Sequence, residues 1–220
     1  MSHLPCVEIE PELPARAAVI WLHGLGANGH DFEPVVPELR LPRELAVRFV
    51  FPHAPAMPVT VNNGYVMPAW YDITEMRISH NVDEAGLLQS AAAVRVLIQR
   101  ERERGIDSRR IVIAGFSQGG AVGYQAALTY PETLAGLLAL SSYFATAGSI
   151  QPDPANAALP IRIYHGDADP IVPEFLGRES RDVLQRMGYR PEYRTYPMQH
   201  AVCAEEIDDI SAALQAWLSP

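Results

Sequence analysis

The residues best suited to covalent chemistry lie in the middle of the chain, where Ser117 stands between Gly115 and Gly119 in a Gly-x-Ser-x-Gly pattern. The apolar residues 111–114 predict a strand before the serine, and the small residues at 121–127 predict a helix after it. A serine on such a sharp turn presents its Oγ and can act as a nucleophile. An ordinary glycine turn before a helix would show the same pattern, so the partners of Ser117 decide between the two.

A serine hydroxyl needs a base within hydrogen-bond reach, and His200 is the predicted base. Where a nucleophilic serine occupies a turn of this kind, an acid and then a histidine follow it along the chain. The histidines after Ser117 are His165 and His200, and His165 belongs to the end of a predicted strand. Only His200 leaves room for an acid between the serine and the base. A histidine in a surface loop is the alternative interpretation.

Two aspartates, Asp167 and Asp169, follow the predicted strand at 161–165 and are candidates for the acid. The acid accepts a hydrogen bond from the histidine Nδ1–H and so fixes one tautomer of the imidazole. Asp169 is favoured because it lies further into the loop and precedes Pro170, which fixes an extended turn. Asp167 directly follows the strand and could instead brace the loop, so spacing alone leaves both alternatives open.

Acyl transfer also needs two donors for the oxyanion, and backbone amides are predicted for both. One is the amide of Gln118, directly after the nucleophile, at the start of the predicted helix. The other is expected from the glycine-rich loop 23–26 after an early strand, with Leu25 favoured. A plain turn is the alternative for this loop. His23 is interpreted as a structural histidine beneath it.

The two cysteines, Cys6 and Cys203, form no visible disulfide framework, which predicts reduced thiols and a cytoplasmic protein. Cys203 follows His200 closely and is therefore the alternative nucleophile to Ser117. It lacks both a glycine turn and a basic cluster, and this alternative is therefore disfavoured. No spacing of cysteine, histidine or carboxylate residues indicates a metal site, and no cofactor is expected.

Strands and helices alternate along the chain, which predicts an α/β fold with a mainly parallel central sheet, helices on both faces and a single domain over residues 1–220. Ligands bind at the carboxyl ends of parallel strands, and the candidate residues above follow such ends. Prolines make any helix over 31–39 short or irregular. The predicted strands cover residues 17–22, 47–51, 111–116, 134–140, 161–165 and 191–196, and helices cover 81–104, 173–187 and 205–218 besides the one after Ser117.

The longest stretch without a regular period is residues 52–73, which is rich in proline, asparagine, methionine and aromatic residues. A loop of this length within a compact domain usually has a function. Because it follows a strand end, we expect it on the active-site side, with Val66, Met67 and Trp70 lining a groove for the acyl chain. Methionine adapts to chains of varied shape. The alternative is that these apolar residues only anchor the loop.

The charge balance excludes some partners. The formal net charge is −9 and the isoelectric point is about 5.2, which argues against binding to nucleic acid or to an anionic membrane surface. No apolar run approaches the roughly 18 residues needed to span a bilayer, and no signal peptide is apparent, so stable membrane insertion is not expected. Hydrophobic residues make up 48% of the chain, enough for a sizeable core.

Five motifs follow one another along the chain: Leu-His-Gly-Leu-Gly at 22–26, Pro-Ala-Trp-Tyr-Asp-Ile at 68–73, Gly-Phe-Ser-Gln-Gly-Gly at 115–120, His-Gly-Asp-Ala-Asp-Pro-Ile-Val-Pro at 165–173 and Met-Gln-His at 198–200. Together they resemble the motifs of the phospholipase/carboxylesterase family of small α/β-hydrolases, which includes bacterial carboxylesterases and acyl-protein thioesterases. The resemblance covers essentially the full chain and implies the α/β-hydrolase fold. It implies a catalytic triad of Ser117, Asp169 and His200, and therefore favours Asp169 over Asp167.

The same resemblance implies oxyanion donors at Leu25 and Gln118, and it is compatible with a homodimer. Two positions depart from the family pattern. Many members have Asp where this chain has Ala27, and many have Gly where it has Gln199. Neither change removes a catalytic group, so we expect only the rim of the acyl site to differ.

These observations predict a serine carboxylesterase that hydrolyses small-molecule acyl esters through an acyl-enzyme on Ser117. An acyl-protein thioesterase or lysophospholipase would use the same residues and is the nearest alternative. A non-catalytic binding protein of the same fold is less favoured, because a binding protein needs neither a triad nor oxyanion donors.

Overall fold

Short apolar runs form a central sheet in the computed structural model, which describes residues 3–75 and 82–219. Residues 17–22, 47–52 and 111–115 are buried throughout, as expected for parallel strands covered on both faces. The strands are β1 (Cys6–Ile9), β2 (Ala17–Leu22), β3 (Val47–Pro52), β4 (Ala56–Val59), β5 (Tyr65–Pro68), β6 (Ile111–Phe116), β7 (Gly136–Leu140), β8 (Ile161–Gly166) and β9 (Glu192–Tyr196).

The strand order in the seven-stranded sheet is β1-β3-β2-β6-β7-β8-β9, and β4 pairs with β5 in a separate hairpin. From β3 to β9 every neighbouring pair is parallel, whereas β1 runs antiparallel to β3 at the edge. Strand β6 is the fourth of the seven. The segment that follows it, including Ser117, therefore lies over the middle of the carboxyl edge, which confirms the predicted mainly parallel α/β sheet.

Helices cover both faces of this sheet, as predicted. One apolar layer joins the sheet to α1 (Glu84–Glu103), α2 (Gln118–Leu128) and α3 (Glu174–Arg186), and the other joins it to α4 (Ala204–Leu218). Successive side chains of β2 point to opposite faces of the sheet, so Ile20 and Leu22 pack in the first layer, and Val19 and Trp21 pack in the second. Within the described residues, no helix is both long and apolar enough to cross a bilayer.

The helix boundaries follow from local signals. Helix α1 starts after Asp83, whose carboxylate accepts a hydrogen bond from the amide of Gly86 and so caps the first turn. It ends before Gly105, which adopts a φ of +94°. The predicted start of this helix at Asn81 lies outside the described residues. Over 31–39 the prolines permit only two 3₁₀ turns, at Glu33–Val35 and Pro37–Leu39, in agreement with the irregular structure expected there.

Two elements differ from the expectations. Strand β1 was not predicted, because four half-buried residues at a sheet edge carry too little periodicity. The segment 52–73 was predicted as a loop without regular structure, but it contains the antiparallel hairpin β4–β5, closed through Asn63 and Gly64 in left-handed conformations. The prolines in this hairpin interrupt the alternation of apolar and polar residues that would have predicted two strands. A two-stranded ribbon tolerates prolines where their positions face away from the partner strand.

Candidate active site

Ser117 occupies the turn between β6 and α2 with a strained backbone. Its φ is +54° and its ψ is −120°, a combination that costs a non-glycine residue about 1–3 kcal/mol. Two hydrogen bonds hold the turn: the amide of Ser117 donates to the carbonyl of Leu140, and the Ser142 hydroxyl donates to the carbonyl of Ser117 at 2.7 Å. The structure therefore stabilises a conformation that presents the serine at the carboxyl edge of the sheet.

The glycines on either side of Ser117 are required by close backbone approach. A Cβ at Gly115 would lie 2.4 Å from the carbonyl oxygen of Gly119, and a Cβ at Gly119 would lie 2.6 Å from the carbonyl oxygen of His23. Real side chains do not tolerate such distances, since backbone atoms cannot move aside. The same contact brings the end of β2 against the start of α2, so the loop after β2 lies beside Ser117.

His200 and Asp169 form a hydrogen-bonded pair in the loops that follow β9 and β8. The His200 Nδ1 atom lies 2.7 Å from Asp169 Oδ2, and the other carboxylate oxygen accepts the amides of Ile171 and Val172 at 2.8 and 2.9 Å. Because Asp169 accepts at Nδ1, the proton of neutral His200 sits there and Nε2 is free to take a proton. Asp167 instead is exposed, and its amide donates to the carbonyl of Tyr196.

The ionisation of Asp169 reflects two opposing effects. Burial of the carboxyl group favours its neutral form, but the hydrogen bonds from His200 and from the amides of Val172 and Ile171 outweigh it and lower the pKa of Asp169. Asp169 is therefore a carboxylate at neutral pH, able to orient the imidazole and to stabilise its protonated form.

The pair lies next to the serine. The ring of Phe116, the residue before Ser117, packs against the ring of His200 with centroids 4.7 Å apart. A second contact holds the His200 loop in place, since a Cβ at Gly166 would lie 2.3 Å from the carbonyl oxygen of Gln199. These contacts place His200 and Asp169 at the same edge of the sheet as Ser117, with His200 against the residue that precedes the serine.

The amides of Leu25 and Gln118 are available as donors. Among residues 3–75 and 82–219, neither amide donates a hydrogen bond to a protein group, although amides around them do. The loop of Leu25 approaches the serine closely, because a Cβ on Gly24 would lie 3.5 Å from the Cβ of Ser117. Gln118 is the first residue of α2, where the partial positive charge of the helix end also favours an anion.

The three residues predicted to line the acyl groove have different surroundings. Trp70 is only 2% exposed, and its indole lies in the core beneath the loop at 23–26, so its contact with substrate stays a prediction. Met67 lies near that loop, with its sulfur 3.7 Å from where a Cβ of Gly26 would be. Val66 points to the opposite side of β5 and is 57% exposed.

Neither cysteine is activated. Both thiols are free, and burial raises the pKa of Cys203 above its ordinary value and that of Cys6 to about 11. A thiol with a raised pKa is a poor nucleophile at neutral pH, because the thiolate is the reactive form. In the described part of the chain, no group of three or more potential metal ligands comes together.

One buried residue of the site was missed by sequence reasoning. His165 at the end of β8 is completely buried, and its Nε2 lies 2.8 Å from the carbonyl oxygen of Val172 and 3.6 Å from Asp169 Oδ2. Burial lowers the pKa of His165, so its imidazole is neutral at neutral pH and donates from Nε2. Its place directly before the two aspartates was the available signal.

Comparisons with known proteins identify the family to which the chain belongs. The family model described as phospholipase/carboxylesterase matches residues 5–218. The acyl-protein thioesterase 1 of Neurospora crassa is 46% identical over 205 residues, which cover 88% of this chain and 84% of the relative. That of Gibberella zeae is 39% identical over 215 residues and covers 93% and 92% of the two chains.

Solved structures give the same result. Arabidopsis thaliana SOBER1 superposes with a TM-score of 0.86 at 30% identity, covering 93% of this chain and 100% of that one. Zea mays acyl-protein thioesterase 2 also has a TM-score of 0.86, at 28% identity, with coverage of 99% and 100%. The chain is thus similar in sequence and backbone to proteins that bear a thioesterase name.

Proposed function

Because the chain belongs to the phospholipase/carboxylesterase family, we propose that it is a serine hydrolase that cleaves acyl thioesters. The observation that carries the proposal is the 2.7 Å hydrogen bond between His200 Nδ1 and Asp169 Oδ2, beside the strained turn of Ser117. The thioesterase names of the relatives favour a thioester over the oxygen ester that was the first expectation from the sequence.

In the first half of the reaction, the Ser117 Oγ attacks the carbonyl carbon of the substrate while His200 Nε2 takes its proton. Asp169 holds the imidazole through Nδ1 and stabilises the positive charge that forms on it. The carbonyl oxygen becomes an oxyanion, which accepts hydrogen bonds from the amides of Leu25 and Gln118. Loss of one such donor from an oxyanion hole costs about 10²–10³ in kcat in other hydrolases.

Acylation is completed when the carbon–sulfur bond breaks and His200 gives its proton to the leaving thiolate, which departs as a thiol. The acyl group remains on Ser117 as an ester. Water then attacks this ester, His200 takes a proton from the water, and the carboxylic acid is released as the proton returns to Ser117. Atoms and charge balance without a cofactor.

A thiol leaves more easily than an alcohol, because its ordinary pKa is about 8.5 and the departing anion needs less protonation. The same residues serve an oxygen ester, in which proton donation by His200 is more demanding. The family description includes carboxylesterases, which keeps hydrolysis of oxygen esters as the second candidate.

The test compares an octanoyl thioester with the oxygen ester of the same acyl and leaving-group skeleton. We expect a higher kcat/KM for the thioester. Ser117→Ala should remain folded, because the side-chain change is small, and should lower kcat on both substrates at least ~10³-fold. A higher kcat/KM for the oxygen ester would favour the carboxylesterase. Turnover that survives Ser117→Ala would contradict both, and absence of turnover in the wild type would favour a binding protein.

A further inference from the structure

The carbonyl groups of the two peptides that precede Leu25 are each held by a buried side chain. The indole Nε1–H of Trp70 donates a hydrogen bond of 2.8 Å to the carbonyl of His23. The imidazole Nδ1 of His23 lies 2.7 Å from the carbonyl oxygen of Gly24. Both donors are in the interior, since His23 is 1% and Trp70 2% exposed. Neither bond belongs to a regular helix or strand.

The tautomer of His23 follows from its second contact. The amide of Ala54 donates to His23 Nε2 at 3.1 Å, so Nε2 is an acceptor and the proton sits on Nδ1. Burial also lowers the pKa of His23, which keeps the ring neutral at neutral pH. His23 therefore donates to the Gly24 carbonyl in one defined orientation.

Holding the Gly24 carbonyl also holds the Leu25 amide, because the two groups belong to one planar peptide unit. In a trans peptide the C=O and the N–H point in opposite directions. The Gly24 oxygen faces the His23 ring and also accepts the amide of Ala27 at 3.3 Å, so the Leu25 N–H points away from both. Glycine at position 24 would otherwise leave this unit free to rotate.

Trp70 connects this loop to the second predicted donor. Its backbone amide donates to Gln118 Oε1 at 2.9 Å, and Gln118 Nε2 donates to the carbonyl of Tyr71 at 2.7 Å. The ring of Trp70 also packs against that of His23, with centroids 5.2 Å apart. The residue that supplies one oxyanion amide is thus tied by its side chain to the segment that holds the other.

We propose that His23 and Trp70 are positioning residues that aim the Leu25 amide at the oxyanion and keep it in register with the Gln118 amide. The inference rests on the proposed acyl-transfer function. It assigns neither residue a contact with substrate. Loss of either hydrogen bond should weaken binding of the transition state more than binding of the substrate.

The decisive experiment compares two substitutions of His23. His23→Asn keeps an N–H at the position of Nδ1, whereas His23→Gln places its amide near the position of Nε2 and removes the donor to Gly24. We expect His23→Gln to lower kcat about 10- to 100-fold with KM within about twofold, and His23→Asn to retain most of the wild-type kcat. Trp70→Phe, which removes the indole N–H, should behave like His23→Gln, with Trp217→Phe on α4 as the matched control.

A transition-state readout separates positioning from a loss of packing. An alkyl trifluoromethyl ketone forms a tetrahedral oxyanion with the serine, and its affinity should fall by the same factor as kcat/KM in His23→Gln. The trifluoromethyl carbinol of the same alkyl chain lacks the electrophilic carbonyl and forms no adduct, so its affinity should not change. Equal losses for both compounds, or equal kcat for His23→Gln and His23→Asn, would overturn the inference.

Failure of the inference is distinguishable from failure of the proposed function. The premise fails if hydrolysis by the wild type survives Ser117→Ala. The inference alone fails if the wild type depends on Ser117 while His23→Gln and Trp70→Phe keep full kcat. If His23→Gln does not fold, the kcat of Trp70→Phe is compared with that of the control Trp217→Phe. An undiminished kcat in Trp70→Phe then overturns the inference.

Discussion

His165 donates a hydrogen bond of 2.8 Å to the carbonyl of Val172, whose own amide donates to the carboxylate of Asp169 at 2.9 Å. A neutral, buried histidine thus supports the turn that holds the acid. His165 itself lies 3.6 Å from Asp169 Oδ2, too far for a good hydrogen bond, so its effect on the acid passes through Val172.

The role of His165 predicts a difference between two substitutions of similar size. His165→Gln retains a donor near Nε2, whereas His165→Leu removes it. We expect the leucine variant to have a kcat about 10-fold below that of the glutamine variant, because the turn then holds Asp169 less firmly against His200. Steady-state kinetics with parallel measurement of Tm checks this. Equal kcat in the two variants would limit His165 to a packing role.

The two aspartates after β8 are separated by their surroundings. Asp169→Asn should lower kcat about 10²- to 10⁴-fold, since an amide at this position can favour the wrong tautomer of His200. Asp167→Asn should leave kcat close to that of the wild type, because Asp167 is exposed and braces the loop through its backbone amide. Kinetics of both variants tests the assignment, and a collapse of kcat in Asp167→Asn alone would reverse it.

Glu206 in the first turn of α4 predicts a dependence of stability on pH. Its side chain is fully buried and faces Tyr164 of β8 and Tyr196 of β9, with Cys203 and Asp209 on its own segment. Burial raises the pKa of Glu206 to about 8 from its ordinary value of 4.5, against the opposing effect of the Cys203 amide. The folded protein thus binds this proton more tightly than the unfolded chain does.

The sign of the effect follows from that difference. Between pH 4.5 and about 8 the unfolded state releases the proton first, so the contribution of Glu206 to the free energy of unfolding decreases as pH rises, and it is constant above about 8. Because one pKa unit is worth about 1.4 kcal/mol, the decrease amounts to a few kcal/mol at most.

Replacement of Glu206 removes this titration. We expect Glu206→Gln to unfold at higher denaturant concentration than the wild type at pH 8, with the difference vanishing near pH 5. Glu205→Gln, at the exposed neighbouring position, is the control and should show no such gain. Urea unfolding across pH 5–9 measures it. A constant difference between Glu206→Gln and the wild type would contradict a titrating carboxyl group.

Met67 predicts a dependence on acyl-chain length. It lies beside the loop of Gly26, and each methylene buried against it should add up to about 0.8 kcal/mol of binding. We expect kcat/KM to rise from acetyl to dodecanoyl substrates, and Met67→Ala to flatten this rise without changing turnover of acetyl substrates. Val66→Ala, on the other side of β5, should have the smaller effect. Unchanged profiles in both variants would place the acyl chain elsewhere.

The parts of the site that sequence reasoning found are those with local signals. The turn at Ser117 needs glycines on either side because backbones touch there, and this leaves a readable pattern. The order of Ser117, Asp169 and His200 reflects the order of parallel strands along the chain. Spacing alone did not decide between Asp167 and Asp169, since the choice depends on which carboxylate is buried against His200.

The parts that sequence reasoning missed depend on contacts between distant segments. Trp70 stands in an apolar segment that was expected to line a groove, but its hydrogen-bond partners His23 and Gln118 lie 47 and 48 positions away along the chain. No local period reports such a contact. Strand β1 was missed for a similar reason, because a short edge strand is stabilised by its neighbour β3 rather than by its own pattern.

Strand β9 lies at the outer edge of the sheet, so the segment that carries His200 should unfold locally more easily than the segment that carries Ser117. Strand β6, which leads to Ser117, is hydrogen-bonded on both sides, whereas β9, which leads to His200, has β8 as its one neighbouring strand within the described residues. Edge elements exchange their amide hydrogens through smaller openings than central ones. On warming, we therefore expect His200 to separate from Ser117 while the central sheet is still intact, so that loss of the proposed activity precedes global melting.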